Sequence, residues 1–152
     1  MKKRVVVTGL GVIHSLGNDT STFWDSVKQG KNGIKTITKF DTTEFSTKVG
    51  AQIDDFDPTL YIDKKEAKRM DLFTQYALAA SKNAVEMSGI DFAGIDPFRA
   101  GVIIGSGIGG IQTLEDNCRV MFEKGPKRVS PFFVPMMIAN MASGQVAIRY
   151  GI

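Results

Sequence analysis

A glycine-rich loop, Gly105-Ser-Gly-Ile-Gly-Gly110, follows an apolar run and precedes a helical pattern. This order satisfies the G-x-G-x-x-G pattern of dinucleotide sites, where free N–H groups at a helix N-terminus bind phosphate. Such sites also need a second strand that ends in an acidic residue about twenty positions further on. Residues 124–131 are instead basic and interrupted by proline. A dinucleotide site is therefore the alternative, and the first interpretation is that these glycines let the backbone turn and pack tightly beneath a pocket.

The chain contains a single cysteine, Cys118, and a single histidine, His14. A catalytic cysteine needs a neighbouring base or a helix N-terminus to lower its pKa. Cys118 is predicted in the middle of a helix and far in sequence from His14, so we interpret it as structural. One cysteine excludes a disulfide framework and a multi-cysteine zinc site. The carboxylates form no convincing metal cluster either, so neither a metal nor a cofactor is predicted.

Two groups of basic side chains could bind an acidic partner. They comprise Lys64, Lys65, Lys68 and Arg69 at the start of a predicted helix, and Lys124, Lys127 and Arg128 in a proline-rich loop. Positive charge at a helix N-terminus opposes the helix dipole, at about 0.3–1 kcal/mol per residue. Charges retained at that cost could serve an acidic partner. The alternative is a solvated helix end where Glu66 and Asp71 offset part of the charge, and the residues alone leave both interpretations open.

The composition is that of an ordinary globular protein. Of the 152 residues, 43% are hydrophobic and 23% are charged, and the formal net charge is +3. These values exclude collagen-like, mucin-like and wholly disordered chains. An excess of three positive charges is weak support for nucleic-acid binding. The length favours one domain with a core of its own.

The N-terminus imitates the start of a signal peptide, with Met1-Lys-Lys-Arg4 before three valines. The apolar run breaks at Thr8 and Gly9, and no small-residue cleavage site follows. Nowhere are eighteen consecutive residues apolar, so no membrane-spanning segment is predicted. We therefore expect a cytoplasmic protein.

The elements that must position these residues alternate between strands and helices, which favours a layered α/β fold. Short β-branched runs predict buried strands at residues 4–8 and 101–105, and a further strand at 48–53. The clearest helix is predicted from Lys64 to Ser88, with Asp63 as its N-cap. A short helix is predicted after Asn18 or Asp19, with Phe23, Trp24 and Val27 as its apolar face and Gly30 at its end. Further helices are predicted from the glycine loop to about Phe122 and from Met136 to Arg149.

The last predicted helix is apolar on nearly all sides. Between Met136 and Ile148 its only polar side chains are Asn140, Ser143 and Gln145. Such a helix is expected to be buried. Either a partner subunit covers it, or the sequence is the front part of a longer protein. The alternative is a small domain with an exposed apolar helix at its C-terminus.

Four motifs occur in order along the chain. They are Arg4-Val-Val-Val-Thr-Gly-Leu-Gly11, Arg69-Met-Asp71 with Phe73 and Tyr76, Gly101-Val-Ile-Ile-Gly-Ser-Gly-Ile-Gly-Gly110, and Ser130-Pro-Phe-Phe-Val-Pro135 with Asn140. Together they resemble the N-terminal part of the β-ketoacyl-[acyl-carrier-protein] synthases, most of all the type II elongation enzymes. The resemblance covers essentially all of the chain. His14-Ser15 departs from the usual Ser-Pro of that family, which affects only a turn.

The resemblance implies a thiolase-like αβαβα sandwich built from two related halves, and a homodimer. Residues 1–152 would be the N-terminal part of one such domain and most of its first half. The implied activity is fatty-acid chain elongation. An acyl group moves from acyl carrier protein to a cysteine, malonyl-carrier protein loses CO₂, and the resulting carbanion attacks the acyl-cysteine. The family's cysteine and its two histidines match no residue of this chain, which by itself is expected to be inactive.

The resemblance also implies where recognition takes place. Gly107, Ile108 and Ile111 would line the acyl pocket, and a branched side chain at Ile108 suggests a movable stop that limits chain length. The pocket of the partner subunit would receive Phe133, Val134 and Pro135. The acidic acyl carrier protein would bind a basic patch, which favours the functional interpretation of the charges. That patch comprises Lys65, Lys68, Arg69, Lys127 and Arg128.

Two alternatives to the elongation enzyme remain. The first is a related condensing protein, either a polyketide ketosynthase or a non-catalytic chain-length partner. The residue at the nucleophile position would separate these. The second belongs to another class, an NAD(P)-binding oxidoreductase domain built on the glycine loop, which titration with NAD(P) would test.

Overall fold

Six α-helices and one two-stranded sheet are present in residues 3–152, the part of the chain that the computed structural model describes. Short 3₁₀ turns connect several of them. The elements are α1 (Thr20–Lys28), β1 (Ile34–Thr36), β2 (Val49–Ala51), α2 (Lys64–Ala67), α3 (Leu72–Ser88), α4 (Ile111–Lys124), α5 (Phe133–Met137) and α6 (Met141–Tyr150). In the described residues, no helix is both long enough and apolar enough to cross a membrane.

Helix α1 confirms the predicted cap and stop. Asp19 is its N-cap and accepts a hydrogen bond from the Thr22 N–H at 2.9 Å. Hydrogen bonds from the Ser21 and Thr22 side chains and from the Thr22 backbone lower the pKa of Asp19 to about 2. Gly30 follows the helix with a left-handed φ of 66°. The predicted apolar face is not buried, since Trp24 is 57% exposed.

The predicted strand at 48–53 is confirmed in its central part. Strand β2 pairs antiparallel with β1, with Ile34 opposite Ala51 and Thr36 opposite Val49. No residue of either strand is fully buried in the described structure, so the sheet lies at the surface of residues 3–152.

The long helix predicted from Lys64 to Ser88 is divided, so that prediction was wrong between Lys68 and Asp71. Helix α2 ends at Ala67, and α3 begins at Leu72 with Asp71 as its own N-cap. The buried Gln75 side chain stabilises the break. Its Nε2 donates to the Met70 carbonyl at 2.8 Å and to the Ala67 carbonyl at 3.0 Å, and the Ala67 carbonyl also accepts the Met70 N–H at 3.2 Å.

The core lies where α3 and α6 pack together. Its fully buried residues are Ile62, Ala67, Leu78 and Val146. Residues from the second predicted strand, Val102 and Ile104, pack against the same cluster. The core is small because several large apolar side chains lie outside it, including Ile103 at 101% exposure.

The two predicted buried strands at residues 4–8 and 101–105 are not paired as strands in the described part of the chain. Val5 is 92% exposed and Val7 is 80% exposed. A strand needs a neighbour for its ladder hydrogen bonds, and residues 3–152 place none beside these segments. The second segment nevertheless keeps strand-like alternation, because Ile103 points outward between the half-buried Val102 and Ile104.

The first segment packs on α3 through its glycines. A Cβ at Gly9 would overlap the Ala84 carbonyl, and a Cβ at Gly11 would overlap the Ala80 carbonyl. Only glycine permits the backbone to approach a helix this closely. Gly9 and Gly11 therefore serve packing on α3.

The last predicted helix is also divided. Helix α5 ends at Met137, and the backbone of Ile138 is extended, with φ −69° and ψ 135°. Helix α6 then runs to Tyr150 and is followed by the left-handed Gly151. Only Ala142 and Val146 of α6 are fully buried, whereas Ile148 is 73% exposed, so this helix has an open apolar side in the described residues.

Candidate functional site

The glycine loop turns sharply before α4. Gly109 has a left-handed φ of 83°, which glycine adopts without the steric penalty of a Cβ. The Gly109 N–H donates to the Ser106 Oγ at 3.0 Å, and the Gly110 N–H donates to the Met137 carbonyl at 2.9 Å. The loop is thus held from within and from the end of α5.

Close backbone packing explains why glycines stand at these positions. A Cβ at Gly110 would lie 2.5 Å from the Met136 carbonyl oxygen, and a Cβ at Gly109 would overlap the Met137 carbonyl. Gly105 and Gly107 have open space around them. The interpretation that the glycines allow tight packing therefore applies to Gly109 and Gly110.

The first turn of α4 binds a carboxylate from another helix. Asp71 Oδ2 accepts a hydrogen bond from the Thr113 hydroxyl at 2.6 Å and one from the Thr113 N–H at 3.1 Å. Thr113 is only 6% exposed, and Gly110, the N-cap of α4, has no side chain to serve as a cap. Asp71 supplies the anion that the N-terminus of a helix favours.

This arrangement argues against the dinucleotide alternative. A phosphate site needs free N–H groups at the start of α4. The N–H groups of Gly109, Gly110 and Thr113 all have protein acceptors, and the Asp71 carboxylate occupies the place where a phosphate would be attracted. After α4 the chain forms a 3₁₀ turn at Pro126–Arg128 in place of the second strand of such a site.

The residues expected to line the acyl pocket come from two adjoining segments. Gly107, Ile108 and Ile111 belong to the glycine loop and the start of α4, and Phe133, Val134 and Pro135 begin α5. The hydrogen bond from Gly110 to Met137 joins the loop to the end of α5. Ile108 is 67% exposed, Ile111 52% and Val134 55%. Side chains without ionisable groups can bind an apolar chain by burial but cannot transfer protons.

The basic groups are free of ion pairs within residues 3–152. Five salt bridges are formed, and each of them uses a cation from elsewhere on the surface. The unpaired cations are Lys64, Lys65, Lys68, Arg69, Lys124, Lys127 and Arg128, and all seven side chains are exposed. Clustered cations without neutralising carboxylates attract an acidic partner.

The carboxylates that could have offset this charge are engaged elsewhere. Glu66 Oε2 lies 3.5 Å from the Arg149 guanidinium on α6. Asp71 binds Thr113 on α4. The argument from the helix dipole also changes, because Lys68 and Arg69 follow the C-terminus of the short α2, where positive charge is not opposed.

Arg69 contacts the segment that follows the second basic group in the chain. Its guanidinium lies over the Phe132 ring at 4.6 Å from the ring centroid. Phe132 closes the loop that contains Lys127 and Arg128, and it precedes Phe133 of the acyl-pocket set. An open cleft of about 600 Å³ lies between α2, α5 and α6, and both Arg69 and Pro135 line it. The basic patch and the acyl-pocket segment thus adjoin.

Tyr76, part of the same motif as Asp71, is half-buried. Burial raises the pKa of its phenol, and the carboxylates of Asp54 and Asp71 raise it further. The phenol therefore stays protonated at neutral pH. Its ring packs edge-on against Phe56 with the centroids 4.8 Å apart.

His14 and Cys118 lie in structural positions. The His14 Nδ1 accepts a hydrogen bond from the Leu16 N–H at 3.2 Å, and the ring packs edge-on against Phe23. Cys118 is half-buried in the middle of α4. In the described part of the chain, no group of three or more potential ligands could hold a metal ion.

Sequence reasoning missed the role of three residues at this site. Thr113 was not singled out, and Phe132 was named only as part of a motif. Asp71 was named in a motif and as an offset to nearby charge, but not as a ligand of another helix. A possible signal was present, since Asp71 directly precedes an apolar helical pattern, as N-cap residues do. Its bond to Thr113 joins residues 42 positions apart, which no local pattern predicts.

Comparisons with known proteins identify the family of this chain. Residues 2–152 match the profile of the family described as "Beta-ketoacyl synthase, N-terminal domain". The chain is 47% identical over 150 residues to 3-oxoacyl-[acyl-carrier-protein] synthase 2 of Synechocystis sp., covering 99% of this chain and 36% of the relative. It is 48% identical over 149 residues to the protein of that name from Staphylococcus aureus strain N315, and the match covers 98% of this chain and 36% of the relative. The chain therefore spans about a third of the length of the curated relatives it matches.

Two solved structures show the same fold over nearly the whole chain. One holds a type II PKS acyl-carrier protein in complex with its ketosynthase, and it matches with a TM-score of 0.81 at 30% identity, covering 99% of this chain and 39% of that one. The other is a β-ketoacyl synthase from Burkholderia phymatum, with a TM-score of 0.78 at 25% identity, and the match covers 99% of this chain and 38% of that one. Residues 3–152 thus adopt the fold of the corresponding part of a ketosynthase, which is the predicted thiolase-like α/β class.

Proposed function

The chain belongs to the family of β-ketoacyl synthase N-terminal domains, and on that premise we propose that the complete protein elongates fatty acids. The reaction is that of a 3-oxoacyl-[acyl-carrier-protein] synthase of the second type. The acyl thioester passes from carrier protein to an enzyme cysteine and releases the carrier thiol. Malonyl-carrier protein then loses CO₂, and its carbanion attacks the acyl-cysteine, which forms a 3-oxoacyl chain two carbons longer and frees the cysteine.

We assign the recognition part of this reaction to residues 1–152, as the N-terminal part of a single domain. The observation that carries the assignment is the contact between Arg69 of the unpaired basic patch and Phe132, which adjoins the acyl-pocket segment. A carrier protein bound at the patch would deliver its acyl chain beside the exposed Ile108 and Val134. Polar docking groups and an apolar surface next to each other suit a substrate with a charged carrier and a hydrocarbon tail.

The same surface supports a homodimer. Val134 is 55% exposed and Phe133 is half-buried, although both are apolar and stand beside the loop. We propose that Phe133, Val134 and Pro135 complete the acyl pocket of a partner subunit. The glycine loop of that subunit would contribute Gly107, Ile108 and Ile111. We place the complete enzyme in the cytoplasm.

The direct test uses the complete protein with acyl-carrier protein and malonyl-carrier protein. We expect a 3-oxoacyl-carrier protein two carbons longer than the primer, formed with one CO₂, and mass spectrometry of the carrier protein measures both the product and its length. A protein that binds carrier protein but forms no carbon–carbon bond would contradict the proposal and would identify a non-catalytic chain-length partner.

A polyketide ketosynthase is the second candidate, because the structural likeness at TM-score 0.81 is to a protein of that class. The identity of 30% to that protein is lower than the 47% to the 3-oxoacyl-[acyl-carrier-protein] synthase 2 of Synechocystis. The same assay separates the two. Repeated condensation on one carrier without reduction of the keto groups would indicate polyketide synthesis, and a single condensation indicates fatty-acid elongation.

Ile108→Phe is expected to shorten the acyl chains that the complete enzyme accepts. Ile108 is exposed at the tip of the loop, so a larger ring there extends into the pocket without disturbing the core. Overfilling a packed pocket costs about 1–3 kcal/mol, so kcat/KM for the longest acyl chain should fall about tenfold or more relative to a short one. Kinetics with carrier-bound acyl chains of graded length measure this ratio.

The matched control is Ile34→Phe, which alters an isoleucine in β1 that is 56% exposed and lies outside the site. It should leave the ratio between long and short chains unchanged. An unaltered ratio in Ile108→Phe would remove Ile108 from the pocket.

A further inference from the structure

We propose that Asp71 is a positioning residue for the acyl pocket, an inference that rests on the proposed function. Its carboxylate binds the first turn of α4 from outside that helix. By doing so it holds the glycine loop, and Ile108 with it, in one conformation. Asp71 thereby contributes to the discrimination between acyl chains of different length.

One carboxylate serves the N-termini of two helices. Asp71 is the N-cap of α3, where Oδ1 accepts a hydrogen bond from the Phe73 N–H at 3.4 Å. Its other oxygen, Oδ2, accepts both bonds from Thr113 at the start of α4, at 2.6 Å and 3.1 Å. The bonds to Thr113 are the shorter ones, so the contact between helices is better formed than the local cap.

Helix α4 depends on this contact because it has no cap of its own. Helices α1, α2 and α3 each begin with an aspartate that accepts a hydrogen bond from their own first turn. Helix α4 begins at Gly110, which has no side chain. Within residues 3–152, Asp71 is the only side chain that bonds to the Thr113 N–H. Thr113 is buried and Asp71 is half-buried, and a charge-assisted hydrogen bond shielded from water is stronger than an exposed one.

The contact reaches the loop through Gly110. A Cβ at Gly110 would lie 2.9 Å from Asp71 Oδ2, so the carboxylate packs directly against that residue. Gly110 is buried between Asp71 and the carbonyls of Met136 and Met137. The backbone at the C-terminal end of the loop is therefore held on two sides.

Ile108 depends on these backbone anchors. Its side chain is 67% exposed, so packing of the side chain itself contributes little to its position. A hydrogen bond from the Gly109 N–H to Ser106 Oγ stiffens the loop internally but does not attach it to the rest of the fold. Loss of the bond between Asp71 and Thr113 would leave the Gly110–Met137 contact as the remaining attachment near Ile108.

The experiment compares variants of the complete protein. Asp71→Ala removes the cap of α3 and both hydrogen bonds to Thr113. Thr113→Val removes only the hydroxyl bond and keeps the shape of the side chain. Thr113→Ser keeps the hydroxyl and is the conservative variant. Asp19→Ala is the matched control, because Asp19 caps α1 by the same chemistry and, in residues 3–152, accepts its side-chain hydrogen bonds from Ser21 and Thr22 and from no residue of α4.

The readout is the ratio of kcat/KM between a long and a short carrier-bound acyl chain, measured well below the melting temperature of every variant. Thr113→Val should reduce this discrimination about tenfold, the effect of losing one charge-assisted hydrogen bond, and Asp71→Ala, which also loses the bond to the Thr113 N–H, should reduce it at least as much. The double variant should add little to Asp71→Ala, since the hydroxyl bond is already lost there. Thr113→Ser, which keeps the hydroxyl, should have the wild-type ratio. Asp19→Ala should lower the melting temperature and leave the ratio unchanged.

A ratio that stays at the wild-type value in Thr113→Val and Asp71→Ala overturns the proposal and leaves Asp71 a structural cap. Hydrogen exchange of the Gly110 and Thr113 amides gives a reading that needs no activity. Both amides should exchange about tenfold faster in Asp71→Ala than in Asp19→Ala. If the wild-type protein forms no condensation product at all, the proposed function is wrong. The exchange rates alone then decide whether Asp71 holds the loop, and equal rates in Asp71→Ala and Asp19→Ala would overturn the positioning role of Asp71.

Discussion

Replacing Gly109 by alanine is expected to lower the free energy of unfolding of the complete protein by about 3 kcal/mol. Two effects add. The left-handed φ of 83° costs an L-residue about 1–2 kcal/mol, and a Cβ that overlaps the Met137 carbonyl forces a shift that costs about 1–3 kcal/mol. Urea unfolding followed by circular dichroism measures the change.

Two variants in the same loop separate these effects. Gly110 has a φ of −80°, so Gly110→Ala adds steric contacts with the Met136 carbonyl and the Asp71 side chain but no backbone strain, and it should destabilise less. Gly105→Ala places a Cβ in open space and should have almost no effect. Equal stability of Gly109→Ala and Gly105→Ala would mean that the loop does not pack on the end of α5 as described.

The double variant Lys65→Glu/Arg69→Glu is expected to weaken binding of acyl carrier protein on the order of 100-fold at low salt. Both cations lack ion pairs in residues 3–152, so their charge is available to an acidic partner. Arg69→Glu also removes the contact with Phe132, which adjoins the pocket segment. Isothermal titration calorimetry of the complete protein with carrier protein measures the loss, which should shrink as salt screens the charges.

The control for net charge is Lys31→Glu/Lys39→Glu. These two lysines are also exposed, and reversing them changes the net charge by the same amount at a distance in sequence from the patch. Carrier affinity should stay within about twofold of wild type if docking depends on the patch and not on total charge. An equal loss in the two double variants would assign the effect to net charge and contradict the patch. Arg69→Lys should be intermediate, because it keeps the charge but loses the planar contact with Phe132.

Local patterns in the sequence predicted the elements whose causes are local. Asp19 and Gly30 bound α1 because a cap and a left-handed glycine act within one turn of a helix. The strand predicted at 48–53 contains β2, and the glycine loop was correctly placed before α4. The family and the fold class also followed from the order of four motifs.

Periodicity alone could not predict the breaks in the two long helical patterns. An apolar repeat runs through Met70 and another through Ile138, so each pattern looks continuous. The first helical pattern is interrupted before Leu72, where the Gln75 side chain donates to the carbonyls of Ala67 and Met70. At the same point the Asp71 carboxylate accepts a hydrogen bond from Thr113. The second pattern is interrupted near the point where the Met137 carbonyl accepts the Gly110 N–H.

The chemistry of the candidate site divides in the same way. Residue types and order alone determined that this protein has a glycine loop before a helix, two basic groups and no acid–base pair of histidine and cysteine close in sequence. Only the tertiary structure decided that the Asp71 carboxylate accepts hydrogen bonds from the first turn of α4. The same holds for the ion pair of Glu66 with Arg149 and for the contact of the Arg69 guanidinium with the Phe132 ring. The physical reason is the distance along the sequence over which each interaction acts. Backbone propensity and capping act over a few residues, whereas these contacts join residues dozens of positions apart that meet only when the helices pack.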